Sequence, residues 1–152
     1  MKTELLPGMV ADLAALALKD PKAWAQIVVL LGEAEADPEI LAKLTTPGSV
    51  EIGPKKIELN VQGWRTAKRQ GDNLSRLRLA DPHANMYRII YGFDWRHQTA
   101  GYLAIVKRVK DSPNLATGIE NEAEIFDYDN LSGPLWERIQ DDWRTATGGQ
   151  TT

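Results

Sequence analysis

The spacing of apolar residues changes once along the chain, from a helical period to a strand period. In the first third, apolar residues recur every three or four positions over residues 9–18, 24–31 and 40–44, which predicts three amphipathic helices. Asp20-Pro21 and Asp37-Pro38 each combine an N-cap residue with a proline at the first helical position. We therefore expect the second and third helices to begin at those two pairs.

Ile57, Leu59 and Val61 alternate with polar residues, which is typical of a half-buried strand, and three further strand-like runs occupy residues 74–79, 86–93 and 102–108. Asp81-Pro82 and residues 97–101 mark short turns between these strands, which favours antiparallel pairing. Pro54 predicts that the first strand is short or lies at an edge, and residues 62–73 form a polar connection. The chain is therefore predicted as an α+β domain, with N-terminal helices packed on a small curved antiparallel sheet of about four strands.

The C-terminal part is predicted to be helical. Ser112-Pro113 predicts a short helix that runs toward Ile125, and Gly133-Pro134 opens a last helix. That last helix is amphipathic, so segment 133–144 is expected either to cover a groove on the sheet or to form a homodimer contact. Residues 1–145 are predicted as one domain and residues 146–152 as a disordered tail.

The composition excludes several kinds of chemistry. The chain has no cysteine, which excludes disulfides, thiolate catalysis and Cys-ligated metals. His83 and His97 show no metal-ligand spacing, so we expect neither a metal nor a cofactor. The N-terminal residues do not fit a signal peptide, and no apolar run approaches the ~18 residues that a membrane span needs. We therefore expect a cytoplasmic protein with no membrane contact.

Positive charge is concentrated between Trp64 and Lys110. This segment holds ten lysines and arginines but three acidic residues, so its net charge is +7 in a chain whose net charge is −3. A local cationic surface favours a polyanionic partner, of which nucleic acid is the commonest. The alternative is that these basic strands neutralise acidic helices packed nearby, because nucleic-acid binders usually have a basic overall charge.

Three segments of this basic region together resemble the RelE/ParE superfamily of bacterial toxins. They are RLRL at residues 76–79, MYRIIYGFD at 86–94 and YLAIVKR at 102–108. In that superfamily a basic strand, a strand with a Tyr-Arg pair and a strand ending in Lys-Arg or Arg follow one another in this order. The resemblance covers about residues 5–130. It implies the toxin component of a type II toxin–antitoxin system, neutralised by a cognate antitoxin, and the RelE branch implies a ribosome-dependent mRNA endonuclease.

Carried over by position, the resemblance implies catalytic roles for Arg76, Arg78, Arg88 and Arg108. The RelE pattern places a tyrosine a few residues after the last of these arginines, where this chain has Pro113 and Asn114. Tyr128 is the candidate replacement, provided that its segment folds back over the sheet. Strand alternation predicts that Arg76 and Arg78 share one face and that Arg88 points away from its apolar neighbours.

Arginine suits metal-independent RNA cleavage, because its guanidinium binds phosphate oxygens bidentately and stays charged. The expected RNA-binding residues are the remaining cations of the basic region, Arg65, Lys68, Arg69, Lys107 and Lys110. The general base is open among Lys107, His83, His97 and the tyrosines. By alternation, Lys107 would face the core side of its strand.

Two other functions fit the same sequence. A ParE-like member would lack the catalytic set and would act by binding DNA gyrase; the departures from the RelE pattern favour this branch. A plain binding module without toxicity would fit the acidic overall charge and the additional C-terminal segment. The expected partners are therefore an antitoxin together with mRNA on the ribosome, or DNA gyrase in the second case.

Overall fold

The computed structural model describes residues 2–46, 48–52 and 57–148, and within them five helices surround one sheet of eight strands. The helices are α1 (Pro7–Lys19), α2 (Pro21–Ala36), α3 (Pro38–Lys43), α4 (Arg65–Arg69) and α5 (Pro134–Ala146). The strands are β1 (Lys2–Leu5), β2 (Gly48–Ile52), β3 (Ile57–Gly63), β4 (Leu74–Leu79), β5 (Tyr87–Asp94), β6 (Thr99–Val109), β7 (Ser112–Gly118) and β8 (Ile125–Asp127).

Strands β2 to β8 lie side by side in chain order, and each pairs antiparallel with the next. Strand β6 is the longest and has three partners. It pairs with β5 along its length, with β1 in parallel at its start, where Lys2 lies opposite Thr99, and with β7 at its end, where Arg108 lies opposite Ala116. The predicted α+β class is confirmed, but the predicted number of about four strands is wrong.

The N-cap residues predicted the start of α2 and α3 correctly, but the similar signal at Ser112-Pro113 predicted a helix that does not form. Asp20 accepts a hydrogen bond from the backbone N–H of Ala23, and Asp37 accepts one from Glu39, so both predicted N-caps are confirmed. The helix predicted after Ser112 is wrong, because this segment forms β7 against the end of β6, and β8 then pairs with β7. The hydrogen-bonding edge of β6 overrides the local Ser-Pro signal.

Strand β3 was expected to be short or to lie at an edge, but it lies inside the sheet between β2 and β4. Pro54, on which that prediction rested, falls outside the described residues. The predicted polar connection 62–73 is also wrong in part, because it contains the end of β3 and helix α4. Helix α4 buries its Ala67 in the core on the C-terminal helix's side of the sheet.

Each face of the sheet is covered by a different set of helices. Helices α1, α2 and α3 bury their apolar side chains on one face, together with Leu77 and Ile89. Helix α5 packs on the other face and buries Trp136, Ile139 and Trp143 in a second core. These apolar side chains are therefore not available for the homodimer contact that the sequence left open, and α5 instead covers part of the sheet.

The close approach of α5 depends on glycines in the sheet. The ring of Trp143 lies where a Cβ on Gly92 would be 2.6 Å from it, and Gly101 is also in contact. The predicted start of a disordered tail at residue 146 is wrong, because Ala146 ends α5 and Thr147 is buried. Residues 149–152 of that predicted tail lie outside the described part of the chain.

A buried ion pair ties the two helical layers together. Asp12 of α1 is 1% exposed and accepts two hydrogen bonds from Arg138 of α5, at 3.0 and 2.7 Å. It also accepts one from the backbone N–H of Ile105 at 2.9 Å. Burial raises the pKa of Asp12, and Arg138 opposes that rise. Beside this pair, the backbone N–H of Gly8 donates to Asp142 at 2.8 Å.

Candidate nucleic-acid interface

Four arginines lie on one face of the sheet, and we call this surface the arginine face: Arg76, Arg78, Arg88 and Arg108. On β4, residues 76 and 78 alternate with Leu77 and Leu79, which pack under the N-terminal helices. On β5, residue 88 lies between Tyr87 and Ile89, which do the same. On β6, residue 108 follows buried Val106 of the second core. The strand period alone therefore turns all four guanidinium groups away from the N-terminal helices.

The arginines make hydrogen bonds to neutral groups. Arg76 donates to the side-chain oxygen of Gln62 at 3.1 Å. Arg88 donates to the backbone carbonyls of Asn85 and Tyr87, at 2.8 and 3.0 Å. In Arg108 the buried Nε has no hydrogen-bond partner among the described residues. Within residues 2–46, 48–52 and 57–148, no carboxylate forms an ion pair with any of the four. Their positive charge is therefore left for a ligand.

The arginines also act on one another. Burial lowers the pKa of Arg88 from its ordinary value, and the charges of Arg78, Arg108 and Arg76 lower it further, whereas Tyr128 acts in the opposite direction. Like charges held this close repel, and the fold supplies no carboxylate to offset the repulsion within the described residues. A bound phosphate would neutralise it, which favours an anionic ligand at this place.

Tyr128 lies against the arginine face because β7 and β8 return along the sheet. Its ring lies under the guanidinium group of Arg76, with Cζ 4.1 Å from the ring centroid. Trp64 holds this tyrosine in place, since its Nε1 donates to the Tyr128 carbonyl at 2.9 Å and its ring makes an edge contact. Phe126 and Trp136 complete the aromatic cluster around Trp64.

The hydroxyl group of Tyr128 is covered. The residue is 4% exposed, and its buried hydroxyl makes no hydrogen bond of regular geometry within the described part of the chain, while Arg76 lies against the ring. Burial raises the pKa of Tyr128, and the positive charges of Arg76 and Arg88 oppose that rise. The hydroxyl therefore stays protonated at neutral pH. On its solvent side, the ring is covered by the guanidinium group of Arg76.

Two adjoining cavities open on the arginine face. The larger has a volume of about 890 Å³, and we call it the α4 groove; its polar lining includes Gln62, Arg65, Lys68, Arg69, Arg76 and Asp129. The smaller has a volume of about 150 Å³, and we call it the arginine pocket; its polar lining is Asn60, Gln62, Arg76, Arg78 and Arg88. Because Gln62 and Arg76 line both cavities, the groove and the pocket meet at this hydrogen-bonded pair.

Some residues predicted for the site lie elsewhere. Lys107 projects to the opposite face of β6, where its Nζ lies 6.0 Å from the ring centroid of Tyr87. Lys110 is exposed in the turn between β6 and β7, outside both cavities. His97 lies in the turn after β5, at the end of that strand away from Arg88, and its Nδ1 is 2.6 Å from Asp94. These three residues are therefore not brought to the arginines.

The structure adds residues that sequence reasoning missed. Asn60 and Gln62 of β3 lie opposite Arg78 and Arg76 of β4, which places two neutral polar side chains beside the cations. Their alternation with apolar neighbours was a usable signal, but the pairing of β3 with β4 was needed to apply it. Asp129 enters the α4 groove from the turn after β8, and no pattern in the sequence pointed to it.

Comparison of the chain with protein-family models, with curated proteins and with solved structures finds no match in any of the three. Among the described residues, no three His, Asp or Glu side chains are grouped so that they could hold a metal ion. In the same part of the chain, no helix has both the length and the apolar character that crossing a membrane requires. The site thus combines a cluster of guanidinium groups, which form no ion pair within the described residues, with a basic groove.

Proposed function

We propose that the chain is the toxin of a type II toxin–antitoxin system and cleaves mRNA on the ribosome, as the RelE-like segments imply. The observation that carries this proposal is the convergence of four arginines on one sheet face without a carboxylate partner among the described residues. A cytoplasmic location and neutralisation by a cognate antitoxin belong to the same proposal.

In the proposed reaction, the 2′-hydroxyl oxygen attacks the adjacent phosphorus and the bond from phosphorus to the 5′-oxygen of the next nucleotide breaks. The 2′-hydroxyl loses its proton, the leaving 5′-oxygen gains one, and the products carry a 2′,3′-cyclic phosphate and a 5′-hydroxyl. Negative charge builds up on the phosphate oxygens in the transition state. The arginine pocket supports the stabilisation of that charge, since preformed cations need no reorganisation during the reaction.

The groups needed for proton transfer are less complete at this site than the groups that stabilise charge. A protonated Tyr128 is in the correct state to donate to the leaving 5′-oxygen, but Arg76 would first have to move off its ring. Neither the imidazole of His97 nor the ammonium group of Lys107 lies on the arginine face. We therefore propose that the charge-stabilising arginines belong to this chain and that the ribosome–mRNA complex positions the 2′-hydroxyl for attack.

The test is ribosome-dependent mRNA cleavage by purified variants. We expect Arg88→Gln and Arg108→Gln each to lower the cleavage rate by about 10²–10³-fold, the usual cost of one charge-stabilising contact. Lys43→Gln is the matched control, because it removes one exposed charge from α3, away from the site. Circular dichroism checks that every variant is folded. Full cleavage by folded Arg88→Gln and Arg108→Gln would exclude the assignment.

A second function is favoured by a specific observation. Among the described residues, no imidazole or carboxylate forms a hydrogen bond or ion pair with the four arginines, and the Tyr128 hydroxyl is covered. A ParE-like protein that binds DNA gyrase would need no proton transfer, and the same cationic face would serve as its docking surface. Inhibition of gyrase supercoiling without inhibition of translation would select this function. Normal growth of bacteria that overproduce soluble protein would instead select a non-toxic binding module.

A further inference from the structure

The α4 groove carries a cationic surface that the reaction itself does not use. Arg65, Lys68 and Arg69 follow one another on α4, are exposed, and line the groove on the side away from Arg78 and Arg88. Among the described residues, none of these three cations forms an ion pair. The volume of about 890 Å³ lies near the upper end of the roughly 300–1,000 Å³ that small-molecule sites occupy, which is more than one phosphate needs.

The groove is continuous with the arginine pocket. Arg76 and Gln62 stand between them and line both, joined by a hydrogen bond of 3.1 Å. A polyanion with one phosphate held by Arg76, Arg78 and Arg88 would therefore leave the pocket past Arg76 and enter the groove. Successive phosphates of the same strand would then meet successive cations of α4.

The groove offers charge rather than aromatic surface. Its two aromatic lining residues, Trp64 and Tyr128, are 2% and 4% exposed, so their rings lie beneath the cations and cannot stack on bases. Stacking on exposed rings and hydrogen bonds to base edges are the usual means by which proteins distinguish bases in single strands. The lining also includes the Asp129 carboxylate, but most of its charged groups are guanidinium and ammonium groups, which bind the backbone phosphates whatever the base sequence.

We infer that the α4 groove binds single-stranded RNA on one side of the cleaved phosphate, through the backbone phosphates and without base preference. This inference rests on the proposed function, because that function makes an RNA strand the ligand. The inference gives the two sets of cations different roles. Arg78 and Arg88 act at the reacting phosphate, and the α4 cations bind the phosphates of the neighbouring nucleotides.

The experiment measures binding without cleavage. The probe is a fluorescent ten-nucleotide RNA whose 2′-hydroxyl groups are all methylated, so that it cannot be cut. Binding is followed by fluorescence anisotropy between 50 and 200 mM salt, for wild type and for the triple variant Arg65→Gln, Lys68→Gln, Arg69→Gln. The matched control removes three exposed lysines outside the basic region: Lys2→Gln, Lys22→Gln, Lys43→Gln.

Each phosphate neutralised on a single strand contributes a slope of about 0.7 to the dependence of log affinity on log salt. We therefore expect the α4 triple variant to lose a slope of about 2, so that wild type loses roughly 20-fold more affinity than the variant over this range. We expect the control to keep the wild-type slope, and oligo-U and oligo-A probes to bind equally. An equal loss in both triple variants, an unchanged slope in the α4 variant, or a strong base preference would overturn the inference.

The binding measurement allows failure of this inference to be distinguished from failure of the proposed nuclease function. If wild type fails to cleave mRNA on ribosomes but the α4 variant loses the expected slope, the proposed nuclease function fails and the groove remains an RNA site. If wild type cleaves mRNA and the α4 variant keeps both its KM and its salt slope, the inference fails and the nuclease function remains. A groove that takes an acidic peptide instead would give the latter result.

Discussion

Replacement of Arg138 by methionine tests how α5 is fixed to the rest of the fold. The side chain of Asp12 is 1% exposed, and two of its three hydrogen bonds come from Arg138. In Arg138→Met, the carboxylate stays buried with the Ile105 N–H as its remaining donor among the described residues. Breaking a buried pair from one side costs about 3–5 kcal/mol, because the other charge is left uncompensated.

Urea unfolding followed by circular dichroism measures this cost. With an m-value of about 1–3 kcal/mol per molar urea, the midpoint of Arg138→Met should fall by at least about 1 M. The second variant is the double change Asp12→Asn with Arg138→Met. The amide oxygen at position 12 can still accept a hydrogen bond from the Ile105 N–H and carries no charge. We therefore expect the double variant to recover most of the stability that Arg138→Met loses. A double variant no more stable than Arg138→Met would refute this reasoning.

The same pair predicts a pH dependence. Burial raises the pKa of Asp12 above its ordinary value of 3.8, so the folded state holds the proton more tightly than the unfolded state. The stability from this group is therefore fully present below pH 3.8 and is lost as pH rises through the folded pKa. In Arg138→Met no arginine opposes the rise in the pKa of Asp12, so the loss of stability with rising pH is larger in the variant than in wild type. The stability gap between Arg138→Met and wild type should narrow from pH 7 toward pH 4, and a constant gap would contradict the argument.

Two further substitutions test the packing around the site. Gly92→Ala should destabilise the fold by about 1–3 kcal/mol in urea, because its Cβ would overlap the Trp143 ring, whereas Gly32→Ala in α2 meets no atom within 4 Å and should be neutral or stabilising. Trp64→Phe should cost about 1–3 kcal/mol, since it leaves the buried Tyr128 carbonyl without its donor, and should also weaken RNA binding. Equal stability of the two alanine variants, or unchanged stability of Trp64→Phe, would contradict these packing arguments.

The parts of the fold that follow from neighbouring residues could be predicted from the sequence. Asp20 and Asp37 cap helices through hydrogen bonds that span two or three residues, so a short sequence window contains the whole cause. Strand β7 shows the opposite case. Ser112-Pro113 is a local helix signal, yet the backbone of β6 provides partners for this segment, and neither its position nor its register can be read from residues 112–118 themselves.

The candidate site divides in the same way. Alternation along each strand was enough to place Arg76 and Arg88 on faces away from the N-terminal helices, and to place Lys107 on the other side. The stack of Arg76 on Tyr128 could not be predicted, because it brings the end of β8 to β4, although three strands lie between β4 and β8 in the sheet order. The α4 groove likewise depends on a five-residue helix whose apolar content is too small to give a periodic signal.

The parallel pairing of β1 with β6 has a consequence for synthesis. Lys2 leaves the ribosome before its partner Thr99, which follows roughly a hundred residues later. Contacts that close such long stretches of chain form late, because the entropy of closure must be overcome before they contribute. Strand β1 therefore stays without its partner while the residues between the two strands are made, and it must then take its place beside a strand that is synthesised later.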